Sequence, residues 1–380
     1  MRIGVNTRLL LEGRLDGIGW FAYHTLKRMV LAHPEHDFFF FFDRKPSPRF
    51  VFSDNVKAVS LCPQARHPLL WWLFFECSVP RALKRYKIDI FLSPDGYIPL
   101  RTAVPTVDVI HDINFEHFKN NLKPSHQCYM SHFFPLFARR ASQLVTVSQF
   151  SKNDIAETYG IPLEKIRVVY NSTGDAYHPL AEAEKRQGRQ RDTGGSPYFI
   201  FVSTILRRKN LANLLKAFDL FKQTDDEGYK LLVVGEKIWW QDELKAAYDA
   251  MRHQSDVVLN GRAEVDELSR LMAAAQALVY PSFFEGFGIP IVEAFYAETA
   301  VITSNVTSMP EVAGDAALLV EPQNVDAIAD ALTMVARNPE LRRELIEKGR
   351  SRRSHFSWDN AANELWQVII RTVSNAQKRL

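Results

Sequence analysis

The chain has 380 residues with a net charge of +3, and 46% of them are hydrophobic against 24% charged. That length predicts two domains, each able to hold its own core, and so small a charge gives no basis for a nucleic-acid partner. No apolar run approaches the roughly 20 residues that cross a bilayer, and Cys62, Cys77 and Cys128 are scattered, odd in number and without metal-ligand spacing, which points to a reducing compartment. The first strand, Arg2 to Asn6, starts at once and lacks the apolar region of a signal peptide. A cytoplasmic protein is the expectation.

Strand-like runs alternate with helical patterns, which predicts an α/β chain with mostly parallel sheet. After the first strand comes Asp16-Gly17-Ile18-Gly19, then a helix from about Trp20 to Leu31. Doubly wound folds place ligands at such a loop, although no full G-x-G-x-x-G is present. Phe38 to Phe42 read as a fully buried strand, and 55–61 as another. Residues 67–87 are aromatic, then basic. They read as a core helix followed by a second helix from Pro80, with contact at a membrane surface as the alternative. Pro105 to Asp112 form a buried strand whose C-terminal end carries His111 and Asp112. A helix from Pro124 to Ala141 and a strand from Leu144 to Ser148 follow, and Ser148 can cap the next helix. The last strand of this half is Ile166 to Tyr170.

Residues 172–197 have no apolar periodicity, and 181–197 read as a linker. A strand, Tyr198 to Ser203, then leads through Thr204 to Arg207-Arg208-Lys209-Asn210 and a helix from Leu211. Three cations at a helix start are unfavourable unless an anion sits there. Arg can fork onto phosphate oxygens and Lys supplies a compact charge. Next come a strand ending at Gly235, with Lys237 beyond it, and the run Val257 to Arg262.

The richest stretch is Phe283-Phe284-Glu285-Gly286-Phe287-Gly288-Ile289-Pro290-Ile291-Val292-Glu293. It follows an apolar strand, Ala277 to Pro281, and a helix should begin near Pro290. The helix start suits a phosphate, and the glycines allow close approach. Glu285 and Glu293, the latter expected in the first helical turn, suit hydroxyls rather than the anion. Phosphate plus hydroxyls suggests a sugar nucleotide. The helices after this stretch end with one over 358–374.

Glu285 and Glu293 stand in E-x7-E spacing. With Thr303-Ser304-Asn305-Val306-Thr307-Ser308-Met309-Pro310-Glu311-Val312, this stretch resembles the retaining family 4 glycosyltransferases, also called glycosyl transferases group 1. The resemblance covers nearly the whole chain. It implies the α/β GT-B fold: two Rossmann-like, doubly wound parallel-sheet domains facing across a cleft. Residues 1–180 would bind acceptor and 198–357 the nucleotide sugar, with 358–380 packing back on the first domain.

The resemblance also implies roles for particular residues. Gly17 and Gly19 would lie near donor phosphates and acceptor. His111 would face the reaction centre, with Asp112 as its orienting partner. Ser148 lies in a similar Val-Ser-x-Phe-Ser run. Arg208 and Lys209 would grip the diphosphate, while Ser203-Thr204 replaces a frequent Gly-Arg and offers hydroxyls instead. Lys237 and the Arg262 segment would lie by the nucleotide. Glu285 would meet the sugar, Glu293 the ribose, and the backbone of Gly286, Phe287, Gly288 and Ile289 the sugar and phosphate.

The implied reaction is hexosyl transfer with retention, from GDP-mannose first or a UDP-hexose second. The acceptor would be a glycan or lipid-linked glycan of a bacterial surface polysaccharide. No cofactor is expected, and no metal, since no Asp-x-Asp occurs in the chain. An epimerase or phosphorylase of the same fold remains open, as does a binding protein without catalysis.

Overall fold

The computed structural model describes all residues except 14, 120–121, 237–239 and 379–380. The chain divides into two compact units, Met1–Ser172 with Ser357–Leu380, and Thr173–Phe356. No helix among the described residues is long and apolar enough to cross a membrane.

The first unit holds a seven-stranded parallel sheet in the order β3-β2-β1-β4-β5-β6-β7. Its strands are β1 (Arg2–Asn6), β2 (Asp37–Phe42), β3 (Val56–Ser60), β4 (Ile90–Ser93), β5 (Thr106–Val109), β6 (Gln143–Thr146) and β7 (Ile166–Val168). All five phenylalanines of β2 are buried, as expected for a strand covered on both faces. The terminal helix, Trp358–Gln377, lies along the helix Gly17–Ala32 of this unit. Trp358 stacks on His24 at 4.9 Å between ring centroids, Trp366 stacks on His33 at 3.8 Å, and Arg28 meets Asp359 at 2.7 Å.

The segment over 67–87 is one helical run, Pro68–Leu73, Phe74–Ser78 and Val79–Arg85, with a single wider turn in its middle. Trp71, Phe74, Phe75 and Val79 fill the core, whereas Leu69 and Trp72 lie on the outside. The break expected at Pro80 is absent. That proline follows directly on the wider turn, and the helical backbone runs on through it. The glycine loop also differs from expectation: the helix already begins at Gly17, capped by Asp16.

The second unit holds a six-stranded parallel sheet in the order β10-β9-β8-β11-β12-β13. Its strands are β8 (Tyr198–Val202), β9 (Lys230–Val234), β10 (Val257–Gly261), β11 (Ala277–Tyr280), β12 (Ala300–Ser304) and β13 (Leu318–Val320). The stretch read as a linker is a helix, Glu182–Thr193, belonging to this unit. It buries only Gly188 and Thr193, so no apolar stripe announced it. Polar ties hold it instead. Arg189 donates to the carbonyl of Ala274 at 2.9 Å, and Asp192 pairs with Arg270 at 2.6 Å.

Candidate active site

The site of the second unit is built where β8 and β11 end side by side. Ligands of open parallel sheets bind outside these carboxyl ends. After β8 the chain makes one tight turn, Arg207–Lys209, and Asn210 adopts a left-handed conformation (φ 62°) before the helix Leu211–Lys222. Asn tolerates this conformation better than most residues. The Asn210 amide donates to the carbonyls of Pro281 at 2.8 Å and Pro322 at 2.6 Å, and the Phe283 amide donates to the Arg208 carbonyl at 2.8 Å. These bonds stitch the cationic turn to the loops after β11 and β13.

The result is an ion-pair cluster. Lys209 Nζ donates to Glu285 Oε1 at 2.5 Å and to the Tyr280 hydroxyl at 2.9 Å, and that hydroxyl donates to Glu285 Oε1 at 2.7 Å. Arg208 donates to Glu285 Oε2 at 3.1 Å and to the Phe284 carbonyl at 2.9 Å. Burial alone would raise the Glu285 carboxyl. Lys209 and Arg208 overcome that and hold it at about 2. The carboxylate expected to meet sugar hydroxyls is thus engaged here with the two cations expected to meet phosphate. Two cations and one anion leave a net positive charge in a largely buried place. Arg207 turns outward, 3.8 Å from Glu243.

The loop that follows is held from β12's side. Ser308 donates to the carbonyls of Glu285 and Phe287, both at 2.9 Å, and the Glu285 amide donates to Thr307 Oγ1 at 3.3 Å. Gly286, Phe287 and Gly288 are buried. Gly288 (φ 99°) requires the freedom of glycine and opens the helix Ile289–Tyr296, which no side chain caps. An uncapped helix start favours an anion. Glu293 is the fifth residue of this helix, one position past the first turn where it was expected. Burial raises its carboxyl to about 7, opposed by the Tyr177 hydroxyl.

Other predicted residues fall as follows. Thr204 and Arg262 are exposed at the ends of β8 and β10. Lys237 lies outside the described residues. In the first unit, the Gly19 amide donates to the Asp16 carboxylate at 2.8 Å, while Gly17 is exposed. Ser148 is fully buried and caps the helix Gln149–Tyr159 by accepting from the Ser151 amide at 2.9 Å.

His111 follows β5. Its Nε2 lies 3.0 Å from the Pro94 carbonyl, so that nitrogen carries the proton and Nδ1 can accept. Burial lowers its pKa, which keeps the ring neutral. Asp112 is not the hydrogen-bonding partner that orients His111. It accepts from the backbone and side chain of Asn114, because the chain turns there into the short helix Asn114–His117.

Sequence reasoning missed Tyr280, Asn210, Thr307, Ser308 and Tyr177. Tyr280 lies in a predicted strand beside the site, Asn210 in the cationic run, and Thr307 and Ser308 in the second similar run, so all four positions carried a signal. Nothing in the sequence linked Tyr177 to Glu293.

Comparison with known proteins agrees with this architecture. Residues 182–352 match the family model described as "Glycosyl transferases group 1", and residues 15–173 match "Glycosyltransferase Family 4". The chain is 29% identical over 366 residues to O-antigen chain mannosyltransferase B of Escherichia coli, covering 92% of this chain and 94% of that protein. It is 27% identical to O-antigen chain mannosyltransferase RfbU of Salmonella typhimurium, covering 72% of each. Sucrose-phosphate synthase from Thermosynechococcus elongatus superposes with a TM-score of 0.79 at 17% identity, covering 98% of this chain and 99% of that one. The fold is GT-B, and the chain belongs to the group 1 glycosyl transferases with a family 4 first domain: it is a glycosyltransferase.

Proposed function

We propose that the protein transfers mannose from GDP-mannose, with retention, to a growing glycan or lipid-linked glycan of a bacterial surface polysaccharide. The observation that carries the reading is the buried Arg208–Glu285–Lys209 cluster beside the uncapped helix at Gly288. Its net positive charge suits a diphosphate, and in a place shielded from water it stabilises the charge that develops as the nucleoside diphosphate leaves. The cations supply what a metal ion would otherwise supply, so turnover proceeds without one. Glu293 accepts hydrogen bonds from the ribose diol. Gly286, Phe287, Gly288 and Ile289 line the sugar and phosphate with backbone. Glu285 exchanges part of its contact with the cations for sugar hydroxyls when donor binds. In the first domain, His111 offers a neutral Nδ1 as an acceptor for a sugar hydroxyl.

The similarity to two O-antigen mannosyltransferases supports mannose and a polysaccharide acceptor, and the E-x7-E spacing supports retention. The test is twofold. GDP-mannose should raise the melting temperature more than UDP-glucose or UDP-galactose does, and Glu293→Ala should abolish that shift. Transfer from GDP-mannose should persist in a chelator, and proton NMR of the early product should show the anomeric configuration of the donor. Equal shifts with all donors, or an inverted product, defeats the reading.

A further inference from the structure

We propose that Tyr280 is a positioning residue for this transfer: its phenol ties the Lys209 ammonium to the Glu285 carboxylate and so fixes the direction from which the ammonium meets the leaving diphosphate. The inference rests on the functional reading above.

The three groups close a triangle, with Lys209 Nζ to Tyr280 Oη at 2.9 Å, Tyr280 Oη to Glu285 Oε1 at 2.7 Å, and Lys209 Nζ to Glu285 Oε1 at 2.5 Å. The phenol accepts from the cation and donates to the anion at once, a pair of roles that needs a hydroxyl. The ring itself lies 5.4 Å from the ammonium, measured to its centroid, and only 2% of the residue is exposed. Tyr280 is also the least movable member. It is the last residue of β11, paired in register with Thr303 of β12, and Thr303 Oγ1 donates to its carbonyl at 2.9 Å. Lys209 reaches the site on a flexible four-carbon stem, and Glu285 comes from a loop. A hydroxyl held by the sheet therefore sets where the other two meet. Burial, with Glu285 beside it, pushes the phenol's pKa well up, so it stays a donor.

The test is Tyr280→Phe, which keeps the ring and removes the hydroxyl. A Lys209 that meets the developing charge from the wrong direction loses transition-state stabilisation rather than ground-state binding. The expected loss in kcat is about 10- to 100-fold, with donor KM changed less than about threefold. In a Lys209→Met background the same substitution should cause no further loss, since the phenol acts through Lys209.

A second measurement does not depend on activity. In protein labelled with 15N at lysine Nζ, the Lys209 resonance, identified by its loss in Lys209→Met, should be visible in the wild type and broadened away in Tyr280→Phe. An unchanged kcat, a loss of equal size in both Lys209 backgrounds, or a Lys209 resonance that persists in Tyr280→Phe overturns the assignment. If the wild type transfers sugar from no nucleotide donor, the functional reading falls. The lysine spectrum alone then decides whether Tyr280 holds the ammonium.

Discussion

The ammonium of Lys209 lies 2.5 Å from Glu285 Oε1, with only 10% and 8% of the two side chains exposed. Lys209→Ala breaks the shorter of the two ion pairs on Glu285 but leaves Arg208 and the Tyr280 hydroxyl bound to it. It should therefore lower stability by roughly 1–3 kcal/mol, whereas Glu285→Gln, which leaves both cations without their anion, should cost roughly 3–5 kcal/mol. Transfer should fall about 100-fold or more in either variant. Because the folded carboxyl is held at about 2, below its ordinary 4.5, the pair's contribution is complete above about pH 4.5 and is lost as pH falls toward 2. Urea denaturation across pH reads this directly. A Lys209→Ala protein as stable as the parent would contradict it.

Glu293 behaves in the opposite sense. Its carboxyl is raised from 4.5 to about 7, chiefly by burial. Its stability contribution is complete below about pH 4.5 and declines as pH rises to about 7, because the unfolded chain ionises first. Glu293→Gln should raise stability at pH 8 by roughly 1–3 kcal/mol, with a smaller gain at pH 5. Donor affinity should fall in the same variant. In the parent it should weaken between pH 8 and pH 6 as the carboxylate takes up a proton. Calorimetric titration with GDP-mannose at both pH values checks the second half, and pH-independent binding would sink it.

Asp108 is fully buried in β5, and neither carboxyl oxygen has a hydrogen-bond partner among the described residues. Burial, and then Asp95, push its pKa well up. The buried group stays protonated, and its contribution to stability is lost as pH rises. Asp108→Val suits a buried strand and removes an unsatisfied group. It should gain roughly 1–3 kcal/mol near pH 8 and less near pH 4. Thermal melts at the two pH values decide it, and a lower melting temperature at pH 8 would refute it.

Gly235 follows β9 directly and lies against Ser203, the residue after β8, where a Cβ would lie 1.7 Å from the Ser203 carbonyl oxygen. That atom is backbone and cannot swing aside. Gly235→Ala should destabilise the second unit by about 3 kcal/mol or more. The disturbed strand end leads directly into Thr204 and the cationic turn, so donor binding should weaken too. A melt and a donor titration on the same sample test both. An alanine variant indistinguishable from the parent would mean that the two strand ends can separate freely.

The sequence by itself determined the alternation of buried strands and helices, the cationic turn after Tyr198–Val202, and the glycine loop after Ala277–Tyr280. These are local matters. A run of five phenylalanines, three adjacent cations or a pair of glycines before a proline can be read within a few residues of chain. The structure decided which distant groups neutralise one another. Lys209 and Glu285 are 76 residues apart, and only the adjacency of β8 and β11 brings them together. It also reassigned Asp112 to Asn114 and gave Tyr280 its two partners. The helix Glu182–Thr193 escaped sequence reading because it carries almost no apolar stripe and is tied by charges to residues about 80 positions away. Periodicity records which face of an element is dry. It does not record which charge will be waiting when two strands come side by side.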